Sequence, residues 1–181
     1  MVSRNGGEVA RTVKRCLHPE KWRRKFASRY ISTMSASPPY SISTDQRRLD
    51  AALVHRFLSC DSYWARGIPA EVMQRAIRNS LCFGLYQRDL QIGFARVVTD
   101  GATFGYLADV FIVPGHRGKG LGKRLIAAVM AHPDLQGLRR FMLATRDAHG
   151  LYRQFGFTEP KNSQVLMERH DPDIYQQTGE R

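Results

Sequence analysis

Four glycines fall within eight residues, at Gly115, Gly118, Gly120 and Gly122. They lie between an apolar run ending Phe111-Ile112-Val113-Pro114 and a stretch with Leu125, Ile126, Val129 and Met130 at helical spacing. A strand that feeds a glycine turn and then an amphipathic helix puts unprotected main-chain amides at a helix N-terminus. There the orphan N–H groups and the positive end of the helix dipole both face an incoming anion, and phosphate suits that geometry. The usual phosphate signatures are nevertheless absent. Gly115 and Gly120 have the P-loop spacing, but Leu121 and Gly122 follow where Lys and Ser/Thr are needed. The run Gly118-Lys119-Gly120-Leu121-Gly122-Lys123 ends in lysine where a dinucleotide fingerprint needs glycine.

The elements around this loop follow from hydrophobic period. Tyr40–Thr44 alternates like a short strand, and Leu49, Leu53, Phe57 and Leu58 have helical spacing. Residues 61–69 form an aromatic-rich connection, after which Pro69 suits the first turn of a helix carrying Val72, Ala76 and Ile77. Leu81–Tyr86 and Gln91–Thr99 read as strands joined by a hairpin at Gln87-Arg88-Asp89-Leu90, and Thr103–Val113 extends the sheet. His132-Pro133 stops the helix after the glycine loop. Phe141–Thr145 is then expected as a strand, Ala148–Phe155 as a short helix ending at Gly156, and Gln164–Arg169 as a last strand. The order β-α-α-β-β-β-α-β-α-β predicts a mixed α/β (α+β) domain, too rich in consecutive strands for a purely doubly wound sheet.

Charge divides the chain. Of its 181 residues with net charge +12, residues 1–37 hold nine Lys/Arg against two Glu, a net of +7, and the other 144 residues carry nineteen against fourteen, a net of +5. The basicity belongs mostly to a leader that ends in Ser35-Ala36-Ser37-Pro38-Pro39, where consecutive prolines resist helix and leave no ladder donors. The expected organisation is a basic leader and linker at 1–39, a folded domain at 40–170 and a tail at 171–181. The leader fits three readings: residues upstream of a start at Met34, an organelle-targeting segment, or a nucleic-acid arm. No window approaches ~18 consecutive apolar residues, so no helix is expected to span a bilayer. Cys16, Cys60 and Cys82 are too few and too scattered for a disulfide framework or a structural zinc site. A reducing, cytoplasmic setting with no metal is expected.

Arg117-Gly118-Lys119-Gly120-Leu121-Gly122, directly after a strand ending Val113-Pro114, fits Arg/Gln-x-x-Gly-x-Gly/Ala. Ala148-His149-Gly150-Leu151-Tyr152-Arg153-Gln154-Phe155-Gly156-Phe157 fits Ala-x-x-Leu-Tyr-x-x-x-Gly-Phe. In this order and separation the two motifs resemble the Gcn5-related N-acetyltransferase (GNAT) superfamily, over about Tyr40 to Arg169. The resemblance implies a mostly antiparallel central sheet flanked by helices, with acetyl-CoA as donor, its pyrophosphate on the amides of Arg117, Gly118, Lys119, Gly120, Leu121 and Gly122 and its pantetheine arm along Phe111, Ile112 and Val113. It also makes Tyr152 the acid for the departing thiolate. One position departs from the pattern: many members have asparagine six residues before the motif leucine, and Thr145 stands there.

The chemistry asks for more than a donor site. An alkylammonium of pKa ~10.4 is neutral about once in a few thousand molecules at pH 7, a deficit of roughly 4–5 kcal/mol that a base, a desolvating pocket or a water chain must make up. Asp109 lies in the apolar strand Tyr106-Leu107-Ala108-Asp109-Val110-Phe111, where a carboxylate is costly unless paired or at work, and it is the first candidate base. His149 and His55 are the runners-up. Tyr63, Trp64, Arg66 and Arg96, with Phe83, Phe94 and Tyr106, are the candidate acceptor-site residues. Asp61 and Asp109 would attract a cationic amine, Arg66 and Arg96 a carboxylate, and the sequence does not choose between them. The expected activity is acetyl transfer to a primary amine of a small molecule by direct attack in a ternary complex. The alternatives are a protein lysine or N-terminal acetyltransferase and a non-catalytic module that senses acyl-CoA or binds RNA through the leader. The oligomeric state is open, a homodimer included.

Overall fold

Asp50 starts the first helix by local chemistry: its Oδ1 accepts from the Leu53 amide at 2.8 Å, satisfying one of the donors a helix start leaves unpaired. The computed structural model describes residues 40–176, so the leader with its three readings, and the last five residues of the tail, lie outside the described residues. Strand β1 (Tyr40–Ser43) leads through a short 3-10 turn (Gln46–Arg48) to α1 (Ala51–Arg56), which continues as a π-turn over Phe57–Asp61. The helix expected from Leu49 to Leu58 is therefore divided. Asp45 and Asp50 each cap a separate short turn, and the wider π-turn carries the chain into buried Ser62, whose hydroxyl donates to the Leu58 carbonyl at 2.6 Å.

Helix α2 (Ala70–Arg78) follows Pro69, and then β2 (Leu81–Gln87), β3 (Leu90–Thr99) and β4 (Phe104–Ile112) run as an antiparallel meander. The β2–β3 turn has only Arg88 and Asp89 between paired ends, and Arg88 takes a φ of 55° to close it, since tight hairpins need positive φ at their centre. Helix α3 (Leu121–Met130) crosses over to β5 (Arg140–Leu143), which pairs in parallel with β4, and α4 (His149–Arg153) follows. The sheet order is β1-β2-β3-β4-β5. The sheet is mixed, mostly antiparallel and flanked by helices, as the family resemblance implies, with five strands where the hydrophobic periods predict six.

Strands β2 and β3 are buried along nearly their whole length because both faces of the sheet are covered. Helix α3 packs on one face with Leu125, Ile126 and Val129 fully buried. On the other face Phe57, from the π-turn, stacks on Phe111 with centroids 3.9 Å apart and planes 8° from parallel, and Phe94 lies 6.0 Å from Phe111.

The expected last strand, Gln164–Arg169, does not form. Ser163–Val165 is a 3-10 turn, and the chain beyond it is irregular. Val165 and Leu166 line a cavity of about 600 Å³ together with β5, and Val165 and Met167 are left 62% and 97% exposed. Alternating apolar residues make a strand only where a partner edge is within hydrogen-bonding reach. No helix among the described residues is long and apolar enough to cross a membrane, and none of their His, Cys, Asp and Glu side chains gather in a group able to hold a metal ion.

Candidate active site

Strands β4 and β5 part company halfway. Their ladder joins Phe104–Leu107 to Arg140–Leu143 and stops, while β4 continues to Ile112 with no strand partner on that side among the described residues. The parting coincides with a bulge. Phe94 pairs with Phe111 and Arg96 with Ala108, so Asp109 and Val110 together face the single residue Ala95. Asp109 absorbs the extra residue with a φ of 54°, a left-handed conformation that costs a non-glycine residue about 1–2 kcal/mol. Strained backbone of this kind concentrates at functional sites, where the surroundings hold it in place. The bulge bends β4 away from β5 and leaves a gap floored by main chain.

At the end of β4 the chain turns through Pro114–His116 and reaches α3 through two left-handed glycines, Gly118 at φ 75° and Gly120 at φ 71°. A Cβ at either position would meet nothing within 4 Å, so glycine is needed there for its φ rather than for space. Among the described residues the amides of Gly118, Lys119 and Gly120 donate to no acceptor, and the first-turn amides of α3 follow them. Arg117 Nε donates to the Ile112 carbonyl at 2.9 Å and Lys119 Nζ to that of Gly115 at 3.4 Å, which ties two cations to the loop. Burial, and Lys119 after it, pull the His116 imidazole below its ordinary value. The three sequence candidates on the donor strand offer main chain rather than side chain: Phe111 and Val113 are buried, and Ile112 half-buried. Leu121 likewise is core, contributing an amide only.

A cleft of about 680 Å³ opens beside the bulge, lined by Tyr63, Trp64, Arg96, Tyr106, Asp109, Tyr152 and, from the C-terminal segment, Glu168 and Tyr175. Asp109 is its most heavily tied group. Oδ2 accepts from Arg96 Nε at 2.7 Å and Oδ1 from the Trp64 indole at 3.1 Å, while Arg96 Nη1 donates to Ser80 Oγ at 3.1 Å. The Arg96 and Asp109 side chains are only 17% and 11% exposed. Tyr152, on α4, is buried, and its hydroxyl makes no hydrogen bond among the described residues and is not sealed from the cleft. Burial, followed by the neighbouring Tyr63 and Asp147, pushes its phenol up to about 12. Thr145, at the position where the motif departs, accepts from the Ala148 amide at 3.1 Å and so anchors the start of α4.

The structure gathers Tyr63, Trp64, Phe94, Arg96, Tyr106, Asp109 and Tyr152 into one cleft and leaves Arg66, His55, His149 and Phe83 outside it. Arg66 is exposed and lines no part of it; its charge falls on Asp61 instead, together with those of Arg56 and Arg117. His55 Nε2 lies 2.9 Å from the Ile68 carbonyl and holds the loop before α2. His149 is exposed and borders the other cavity, and Phe83 packs edge-on to His132 on the α3 side of the sheet. Sequence reasoning missed Ser80, Asp147, Glu168 and Tyr175. None stands in a motif, and Glu168 lies in the segment expected as the last strand.

A splayed parallel pair, a strand bulge and a glycine-led helix around one cleft define an acyltransferase of the GNAT type. The acetyltransferase (GNAT) domain family matches residues 78–159. A Gibberella zeae protein classed among acetyltransferases is 37% identical over 135 residues, 62% of this chain and 75% of that one. A crystal structure from Xanthomonas campestris pv. campestris, assigned to the same family, is 57% identical with a TM-score of 0.75, covering 77% of this chain and 99% of that one. An aminoglycoside N-acetyltransferase in complex with CoA shares the fold at 18% identity and a TM-score of 0.55, over 76% and 99% of the two chains. The chain belongs to the GNAT family of acetyltransferases.

Proposed function

We propose that the enzyme moves an acetyl group from acetyl-CoA to a primary amine of a small molecule, by direct attack within a ternary complex in the cytoplasm. The observation that carries this reading is the meeting of Asp109 and the unpaired Tyr152 phenol in one cleft at the open side of β4. The free amides from Gly118 to Gly122 fit a diphosphate, and the unpartnered edge of Ala108–Ile112 fits an extended arm that hydrogen-bonds to main chain. The donor supplies a thioester carbonyl, to which the amine nitrogen forms the new C–N bond as C–S breaks.

Each residue then has one task. Asp109 Oδ1 keeps a lone pair beyond its bond to Trp64, receives the incoming ammonium and takes its proton. Main-chain N–H groups of the open edge hold the developing oxyanion. Tyr152 gives its phenolic proton to the departing sulfur and regains one from the nitrogen, which loses its second proton as the amide forms. A phenol held at about 12 stays protonated throughout the neutral range and remains a competent acid. A small acceptor is favoured over a protein chain because residues 168–175 wall one side of the cleft where a polypeptide would have to pass. The test is calorimetric titration of the full chain with acetyl-CoA, followed by thiol release with simple amines. Donor uptake with amine-dependent release is expected; absence of uptake ends the reading.

A further inference from the structure

The net charge of the protein is +12, yet the uncompensated charge in its cleft is negative. Two guanidinium groups, Arg96 and Arg146, line the cleft against three carboxylates, Asp109, Asp147 and Glu168, with His170 at its edge. Arg96 is consumed by Asp109 and Ser80. Arg146 lies over the Tyr63 ring at 3.9 Å, its amide donating to Tyr63 Oη at 3.2 Å. Asp147 and Glu168 have no cation within ion-pair distance among the described residues. Between them stand aromatic faces that the fold leaves unusually open. Tyr63 and Trp64, packed edge to face at 4.9 Å, are 44% and 41% exposed, and Tyr106 is 36% exposed. Glu168 lies close enough to Tyr106 to help burial and Asp109 raise its phenol.

Resting on the transfer reaction above, we propose that the acceptor is an alkyl diamine: one amine enters toward Asp109 and Tyr152, and the second, still an ammonium, settles on the Trp64 and Tyr106 faces under the charges of Asp147 and Glu168. Aromatic faces and carboxylates both attract a permanent cation, and an alkyl stem covers the apolar floor formed by Met73 and Ile77. An acceptor with a carboxylate in the distal position meets Arg146 alone, already seated on Tyr63, against Asp147 and Glu168. It would bring a negative charge against two others.

Three acceptors that differ only at the distal end decide the matter: 1,4-diaminobutane, butylamine and 4-aminobutanoate, each assayed with the full chain and acetyl-CoA by thiol release. The diamine is expected to lead butylamine in kcat/KM by about tenfold, with 4-aminobutanoate lowest, as one cation–π contact and one or two exposed charge pairs allow. In the Asp147→Asn, Glu168→Gln double variant that ratio falls toward one. In the unaltered enzyme high salt shrinks it too, a readout that does not depend on the variant folding. Equal rates for diamine and butylamine, or a lead that survives both the substitutions and the salt, overturn the diamine proposal while leaving amine acetylation intact. No thiol release with any of the three overturns amine acetylation itself, and the diamine proposal with it.

Discussion

Asp109 turns through a left-handed φ of 54° in the middle of β4, and Arg96 on β3 reaches across the bulge to donate Nε to its Oδ2 at 2.7 Å. The strained residue and its ion pair are one device. The bulge separates β4 from β5, and the guanidinium, itself fixed by Ser80, sets the direction in which the carboxylate faces the cleft.

Asp109→Asn separates the charge from the backbone. Asparagine tolerates positive φ, so the bulge is expected to persist while the negative charge is lost and Arg96 is left without its partner. Thermal unfolding should show a loss of about 1.5–3 kcal/mol, the worth of a hydrogen bond between charged groups. Turnover should fall at least tenfold. Wild-type turnover would remove Asp109 from the proton path and leave it a purely structural residue.

Tyr152→Phe keeps the ring and its edge contact with Phe157, 6.0 Å away. Removing only the hydroxyl should cut kcat by roughly tenfold or more while donor affinity stays unchanged, because general acids contribute about that much and upward. The pH profile adds a second check. With the phenol at about 12, the wild-type rate should show no deprotonation of this acid below about pH 10, and an alkaline limb below that pH which the Phe variant abolishes would mean that burial does not raise the phenol.

How much of this was legible beforehand depends on whether the determining forces are local. Glycine spacing, the apolar run before it and the amphipathic stretch after it are local, and they located the loop, β4 and α3 to within a residue or two. Hairpin closure at Arg88-Asp89 was local too. The Asp109 bulge was not: it depends on the register between Phe94 and Phe111, which no pattern in β4 alone reveals. Arg66 and Arg96 look alike in the sequence, and only the sheet shows that Arg96 faces Asp109 while Arg66 lies outside the cleft. Alternating neighbours predict a strand around Glu168, whereas the chain there is irregular and Glu168 lines the cleft.

Gly120 caps α3 at φ 71° with open space around its missing Cβ, so a substitution there acts through backbone conformation alone. Gly120→Val should raise the KM for acetyl-CoA several-fold with little change in kcat, since the strain of about 1–2 kcal/mol is relieved only by turning the free amides away. Gly120→Asn should sit between wild type and valine because asparagine reaches the left-handed region more readily. Identical donor constants for all three would detach the loop from donor binding.

Asp100 supplies a prediction about stability rather than catalysis. Its carboxylate closes the β3–β4 turn, accepting from the Thr103 hydroxyl at 2.6 Å and from the amides of Ala102, Thr103 and Phe104 at 2.9–3.0 Å, and the Thr103 bond leads the others in holding it far below the ordinary carboxylate range. The sign follows from which state binds the proton more tightly. The unfolded chain, with an aspartate pKa of ~3.9, takes up a proton first, so the stabilisation is complete above that value and drains away as the pH falls through it toward the depressed folded value. Asp100→Ala should therefore lower Tm at pH 7, and the gap to wild type should narrow as the pH drops below about 4. Thermal unfolding followed by circular dichroism across pH 3–7 measures both curves, and a gap that stays constant down to pH 3 would mean the turn draws its stability from elsewhere.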